Sequence, residues 1–332
     1  MREALFYDKL YLGENLDSRK VRCQLCPHQC IISPEQTGIC RSRQNIDGKL
    51  YAINYGKTVS FNIDPIEKKP LYHFYPQSRI LSLGANSCNF HCDFCQNHQI
   101  SQTTVPTQDV TPKIIADLCR KHQLDSVAFT YTEPFMWYEF IYDAAKFLKQ
   151  RDIKIVLVTN GYINPAPLAQ LLPLIDAMNI DLKAYDDEFY KTYCGGSLLP
   201  VLETIKLAAN QTHVEITNLL IPGLNDSPAV IDQLVDFVAE VNDEIPLHFS
   251  RYFPAYKMQL SPTPIEVVIN AAEAARGKLK HVYLGNMFSD NFTICSKCGN
   301  LLIDRNADVM NLINGCCRKC GKKLYGKFDE TA

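Results

Sequence analysis

No apolar run in the 332-residue chain approaches the roughly 18 uninterrupted residues that a membrane-crossing helix needs. The first eight residues carry Arg2, Glu3 and Asp8 where a secretion signal requires an apolar core. An excess of one charge is also missing: 34 Lys and Arg stand against 36 Asp and Glu, net −2, so neither nucleic acid nor an anionic membrane surface is an expected partner. Internal repeats and low-complexity segments are absent. Gly56-Lys57-Thr58 lacks the glycine that a phosphate-binding loop needs five residues earlier, where Tyr51 stands, which excludes that motif. Cysteine is plentiful, at 14 residues, yet short of the ~8–10% of a disulfide scaffold. A cytoplasmic, reducing location is therefore expected.

What the chain does have is cysteine in groups. Twelve of the 14 fall into three sets: Cys23, Cys26, Cys30 and Cys40; Cys88, Cys92 and Cys95; and Cys295, Cys298, Cys316, Cys317 and Cys320. Close spacing without a secretion signal favours metal ligation over disulfides. Cys295-x2-Cys298-Gly299 and Cys317-x2-Cys320-Gly321 are two knuckles at zinc-ribbon spacing, with glycines that permit each tight turn. Structural zinc is the reading for Cys295, Cys298, Cys317 and Cys320. The set Cys23, Cys26, Cys30 and Cys40 fits either structural zinc or an auxiliary 4Fe–4S cluster. The triplet has no nearby fourth cysteine. Three thiolates within eight residues hold three corners of a cubic iron–sulfur cluster and leave one iron open, which marks a catalytic site. The competing reading is zinc with a remote fourth ligand such as His91 or His98.

Residues 1–75 read as an irregular Cys-rich extension with one strand near Leu50–Tyr55. Residues 76–290 alternate strand and helix, and 291–328 form the ribbon-like module. Six short aliphatic runs are expected strands: 79–84, 126–130, 153–159, 175–180, 214–220 and 246–250. Between them Trp137, Phe140, Ile141, Ala144, Phe147 and Leu148, and later Ile231, Leu234, Val235 and Val238, recur at helical spacing. Alternating elements predict an α/β fold with a parallel sheet, and six units predict a partial (β/α)6 TIM-like barrel rather than a full eight. In such a barrel chemistry gathers at the C-terminal ends of the strands, where the triplet follows the first strand.

Other polar residues fall at those ends. Tyr131-Thr132-Glu133-Pro134 ends the second strand and doubles as a helix start, with Thr132 as cap and Pro134 in the first turn. Thr159-Asn160-Gly161 ends the third strand, and Asp181 and Lys183 end the fourth. Two residues apart in an extended segment, Asp181 and Lys183 point the same way. A solvated ion pair is the plainer account of them. Ile221-Pro222-Gly223-Leu224-Asn225-Asp226 reads as a turn, and Arg251 is a candidate anion contact. Cys119 is expected to pack as a small hydrophobe. Cys194 precedes a helix that Ser197 is placed to cap.

The Cys-x3-Cys-x2-Cys spacing, with Phe94 before its last cysteine, resembles the radical S-adenosylmethionine (SAM) superfamily. Tyr131–Pro134 is similar to the Gly-Gly-Glu-Pro type segment of that group, although both glycines are replaced. Asp64–Phe74, Gln96-Asn97 after the triplet, Tyr283–Asn286 and the Cys23–Cys30 pattern together resemble the radical SAM component of the AmmeMemoRadiSam system. That component is related to pyruvate formate-lyase activating enzymes. The resemblance implies a barrel of the radical SAM type and a 4Fe–4S cluster on Cys88, Cys92 and Cys95. It further implies SAM contacts at Thr132, Glu133, Asn160, Asp181 and Lys183, Asp181 toward ribose and Lys183 toward the methionine carboxylate. Reductive SAM cleavage to a 5′-deoxyadenosyl radical follows, with an electron donor of flavodoxin or ferredoxin type. Memo-like and AMMECR-type proteins are implied system partners. Activation of a glycyl radical enzyme is the alternative within enzymes. A zinc-binding module that contacts RNA or protein is the alternative of another class.

Overall fold

A computed structural model describes residues 1–12, 15–307 and 309–329, with the side chains of residues 11–18 outside the description. Its centre is an eight-stranded sheet: β1 (Ser60–Pro65), β2 (Arg79–Gly84), β3 (Ser126–Phe129), β4 (Lys154–Thr159), β5 (Ala177–Asp181), β6 (His213–Leu220), β7 (Leu247–Arg251) and β8 (Val282–Gly285), hydrogen-bonded in sequence order. β2 to β8 run parallel; β1 pairs antiparallel with β2. All six expected strands form within a residue or two of their predicted bounds.

The seventh parallel strand, β8, was not expected. Nor was β1. The hairpin β1–β2 joins the N-terminal segment to the core sheet across residue 75. Residues 1–58, expected to be irregular but for one strand near Leu50–Tyr55, form that strand at Lys49–Ala52 and add further short antiparallel strands, among them Asn15–Cys23.

Helices Pro112–His122, Tyr138–Lys149, Leu199–Ala209, Pro228–Asn242 and Ile265–Arg276 cover the sheet. Their apolar stripes are the reason: Phe140, Ile141, Ala144 and Leu148 are all fully buried, as are Leu234, Val235 and Val238. Cys119 is buried in the same core. The strands β3 to β5 are near-continuously buried, as strands covered on both faces should be.

The connection from β1 to β2, Ile66–Ser78, is bound to the sheet at β5 and β6. Glu215 on β6, fully buried, anchors it by accepting from the Tyr72 and His73 backbone N–H groups at 2.9 and 2.7 Å. Glu215 also accepts from His213 at 3.0 Å and His248 at 2.7 Å, and these bonds outweigh burial to hold its carboxyl well below the usual range. Asn179 donates to the Pro70 carbonyl at 2.8 Å. From outside, the C-terminal segment ties the same strap: Lys327 N–H donates to His73 O and Tyr75 N–H to Lys327 O, both at 2.8 Å. Gly326 adopts φ +147°, and a Cβ there would meet the His73 carbonyl at 2.3 Å, so only glycine fits.

Candidate functional site

The ends of β2 to β7 converge on a cavity of about 370 Å³, within the size range of small-molecule sites. Cys88, Cys92, Cys95, Thr132, Glu133, Asn160, Asp181 and Lys183 all line it, so every residue predicted for the triplet and for SAM meets in one place. Thr217, Leu219, Ser250, Asn286 and the strap residues Lys68, Lys69 and Pro70 complete the wall.

The triplet sits on an irregular loop after β2 whose polar groups face sulfur. Phe90 N–H donates to Cys88 Sγ at 3.4 Å, and Asn160 Nδ2 donates to the same sulfur at 3.8 Å. Ser101 Oγ lies 3.2 Å from Cys95 Sγ. Such donors favour thiolate, the form that binds metal. Asn160 also donates to Asn89 Oδ1 at 2.9 Å and accepts from Tyr162 N–H at 2.9 Å, so the loop after β4 fixes the orientation of the triplet loop. Asn97 Nδ2 donates to the Tyr131 carbonyl at 2.8 Å and couples the triplet to the loop after β3. A second brace is Tyr190–Cys194, one turn of π-helix. Its Cys194 carbonyl accepts from His91 N–H at 2.8 Å, and Gly196 lets Phe90 approach to where a Cβ would meet the ring at 2.3 Å.

Glu133 is 3% exposed and its carboxylate is fully engaged: Thr159 Oγ1 donates at 2.6 Å, Asn160 N–H at 2.8 Å and Phe135 N–H at 3.1 Å. Burial pushes its carboxyl up to about 7 against those bonds. A buried carboxyl shifted this far in a cavity marks a candidate functional residue. Glu133, not Thr132, caps the 3-10 turn Pro134–Trp137, because its longer side chain reaches Phe135 N–H; the Thr132 hydroxyl instead donates to the Ala85 carbonyl at 2.7 Å.

Lys183 Nζ pairs with Asp181 at 3.0 Å beside Cys92. Burial alone would pull the ammonium down, but Asp181 and the thiols of Cys92 and Cys194 outweigh it and hold Lys183 charged. The pair is therefore no solvated surface pair: the Lys183 side chain is 14% exposed. Asn225 of the Pro-Gly turn donates to the Lys183 and Leu219 carbonyls at 2.6 and 2.8 Å, which fixes the ends of β5 and β6 together.

Two expectations are corrected. Arg251 is turned away from the cavity: Nε donates to the Thr263 carbonyl at 2.6 Å and the guanidinium lies over Phe253. Ser197 does not cap the following helix; its hydroxyl lies 3.2 Å from Tyr162 Oη, and Asp187 receives Leu198 N–H instead. The strap's part in the wall went unforeseen. Its signal was Asp64–Phe74, whose paired Lys68 and Lys69 had no assigned contact. Lys69 now pairs with Asp64 at 2.8 Å and stands over the Tyr131 ring.

Away from the cavity, the sulfurs of Cys295, Cys298, Cys317 and Cys320 lie within 4.8 Å of one another. Each knuckle closes identically, with Gly299 N–H on the Cys295 carbonyl and Gly321 N–H on that of Cys317, both at 2.9 Å. At the N-terminus, Cys23, Cys26 and Cys40 are buried and Cys30 is half-buried. Backbone N–H groups of Leu25, His28 and Ile39 point at the sulfurs of Cys23, Cys26 and Cys30, and the Ser42 hydroxyl donates to Cys40 Sγ at 3.3 Å.

A parallel α/β sheet with three thiols at its C-terminal mouth defines the class, and the comparisons agree. Residues 83–238 match the radical SAM superfamily. The chain is 45% identical to an uncharacterized protein of Methanocaldococcus jannaschii, over 98% of this chain and 99% of that one. It belongs to the radical SAM superfamily, whose members are enzymes that work with a 4Fe–4S cluster and SAM. More particularly, it is homologous to pyruvate formate-lyase activating enzymes: the Escherichia coli K12 pyruvate formate-lyase 1-activating enzyme is 25% identical over 47% of this chain and 67% of its own length. Among solved structures, SuiB of Streptococcus suis bound to S-adenosylmethionine shares the fold, with TM-score 0.50 and 16% identity over 66% of this chain and 52% of that one. Among the described residues no helix is long and apolar enough to cross a membrane.

Proposed function

We propose that the chain cleaves SAM reductively at a 4Fe–4S cluster held by Cys88, Cys92 and Cys95, inside a partial barrel of radical SAM type. The observation that carries this is the single cavity lined by the three thiols and by Thr132, Glu133, Asn160, Asp181 and Lys183. The donor set fits the group: three sulfurs, with N–H groups on Cys88 and a hydroxyl against Cys95, and no fourth cysteine among the residues lining the cavity. A reduced cluster held by Cys88, Cys92 and Cys95 would supply the electron that splits SAM into methionine and a 5′-deoxyadenosyl radical. Lys183, kept cationic, offers a charge-assisted partner to a carboxylate, and Asp181 beside it accepts from hydroxyls. Glu133 serves chiefly as a brace, since its oxygens already receive three donors; Thr132 and Asn160 present backbone and amide groups to the cavity. The apolar Leu219 and Phe94 walls limit water around the reacting atoms.

Cys295, Cys298, Cys317 and Cys320 are proposed to hold structural zinc. Sulfurs 3.5 and 3.7 Å apart support this, because four thiolates at about 2.3 Å from one ion are necessarily that close. Activating enzymes of the family take electrons from flavodoxin or ferredoxin, and a donor of that kind is proposed here. The motifs Asp64–Phe74 and Tyr283–Asn286 favour the AmmeMemoRadiSam system, with Memo-like and AMMECR-type partners. The test is anaerobic reconstitution with iron and sulfide, then SAM and reductant; 5′-deoxyadenosine is the expected product. Its absence from a protein with a full cluster would sink the proposal. Metal analysis with zinc alone would favour the binding-module reading.

A further inference from the structure

The N-terminal cysteines form a built thiolate site whose two faces differ. Three backbone N–H groups and one hydroxyl already point at its four sulfurs. Behind them lies Arg43, 1% exposed, which donates to the Leu5 carbonyl and pairs with Glu139. Its Nε–H has no partner in the structure, and its charge acts on Cys23 and Cys40. A spare buried donor beside thiolates points to an additional acceptor at the site. Inorganic sulfide provides one and a lone zinc ion does not. Sulfur spacing agrees. Among the described residues, four sulfurs converge within 4.8 Å at the ribbon, whereas no three of the N-terminal sulfurs do so, nor do the three of Cys88, Cys92 and Cys95. A cubane places each thiolate on a different iron and so separates the sulfurs.

The inner face touches the catalytic loop. Asn89, fully buried and covalently next to Cys88, hydrogen-bonds Cys26 and receives Asn160, which also donates to Cys88 Sγ. His28 Nε2 contacts the Asn89 carbonyl at 2.8 Å. The outer face shows Cys30, flanked by Ile31 and Ile39, which are 57% and 41% exposed.

We propose that Cys23, Cys26, Cys30 and Cys40 hold a second iron–sulfur cluster that accepts single electrons from a flavodoxin- or ferredoxin-type donor at the Cys30 face and passes them through the Asn89 face to the cluster at Cys88. Each transfer oxidises the donor by one electron and reduces the second cluster, which is reoxidised as the first is reduced. Arg43 stabilises the reduced, more negative form. The relay rests on the radical SAM reading of the triplet; the second cluster does not.

The experiment compares iron, acid-labile sulfide and zinc in reconstituted wild-type protein and in the triple variant Cys88→Ala/Cys92→Ala/Cys95→Ala, which keeps all four N-terminal cysteines. With two cubanes, iron falls from about eight to about four per chain, and the triple variant keeps an electron-paramagnetic signal on reduction. A triple variant free of iron and holding about two zinc ions overturns the proposal. Equal iron in both proteins would support the second cluster while overturning the triplet reading and, with it, the relay. For the relay, Cys30→Ser is assayed with a protein donor and with a small chemical reductant. The ratio of the two rates should fall about tenfold from wild type; an unchanged ratio overturns the relay.

Discussion

Asn160 donates one amide hydrogen to Cys88 Sγ and the other to Asn89 Oδ1, so a single side chain after β4 aligns the cysteine loop after β2. Replacing it with alanine also removes the bond to Tyr162 N–H. At about 1 kcal/mol each, these bonds together predict a tenfold or greater drop in 5′-deoxyadenosine formation by Asn160→Ala. The cluster's visible absorbance should be retained. Cys92→Ala, by contrast, should lose that absorbance outright. Equal turnover in wild type and Asn160→Ala would remove the alignment role.

Lys183→Met keeps the volume of the stem and deletes the cation beside Asp181. A charge-assisted bond contributes about 1.5–3 kcal/mol, so SAM affinity should weaken roughly 10- to 100-fold with the cluster signal intact. Titration of SAM against the cluster's spectroscopic change checks this. If Lys183→Met binds SAM as wild type does, the carboxylate assignment to Lys183 is wrong.

Removing the metal proposed at the C-terminal knuckles should loosen the strap, because the segment at Tyr325–Lys327 is what grips His73 and Tyr75. Cys298→Ser or treatment with a zinc chelator is expected to lower Tm by at least about 5 °C. An unchanged melting curve after proven zinc loss would show that the ribbon and the strap are uncoupled.

His281 makes the same region acid-sensitive. Burial pushes its imidazole down to about 4, against His73 at a ring distance of 4.5 Å and with Glu244, Glu215, Lys322 and Asp243 acting on it. The folded state therefore binds the proton less readily than the unfolded chain, whose imidazole titrates near 6.5. Stability is fully present above about pH 6.5 and declines as pH falls toward 4, by about 2 kcal/mol at pH 5. Urea midpoints at pH 7.5 and 5 should converge in His281→Gln relative to wild type; parallel losses in the two proteins would exclude His281 as the source.

The cavity at the strand ends was legible because strand ends announce themselves locally. Aliphatic runs such as Lys154–Thr159 stop at polar residues, and the chemistry sits at those stops. The floor was not, because it is made by pairs far apart in sequence: Glu215 with Tyr72 and His73, or Phe74 with Lys327. The cap at Glu133 was misplaced by one residue since threonine is the commoner N-cap, and only the fold reveals that Thr132 is occupied by Ala85.

Synthesis begins at the N-terminus, and domains fold in that order as they emerge. Every residue that lines the cavity precedes position 287, whereas Tyr325, Gly326 and Lys327 are made some forty residues later. The strap beneath the cavity is thus clamped only after every residue of the cavity has been made, and a nascent chain stalled before Tyr325 has a finished mouth over an open base.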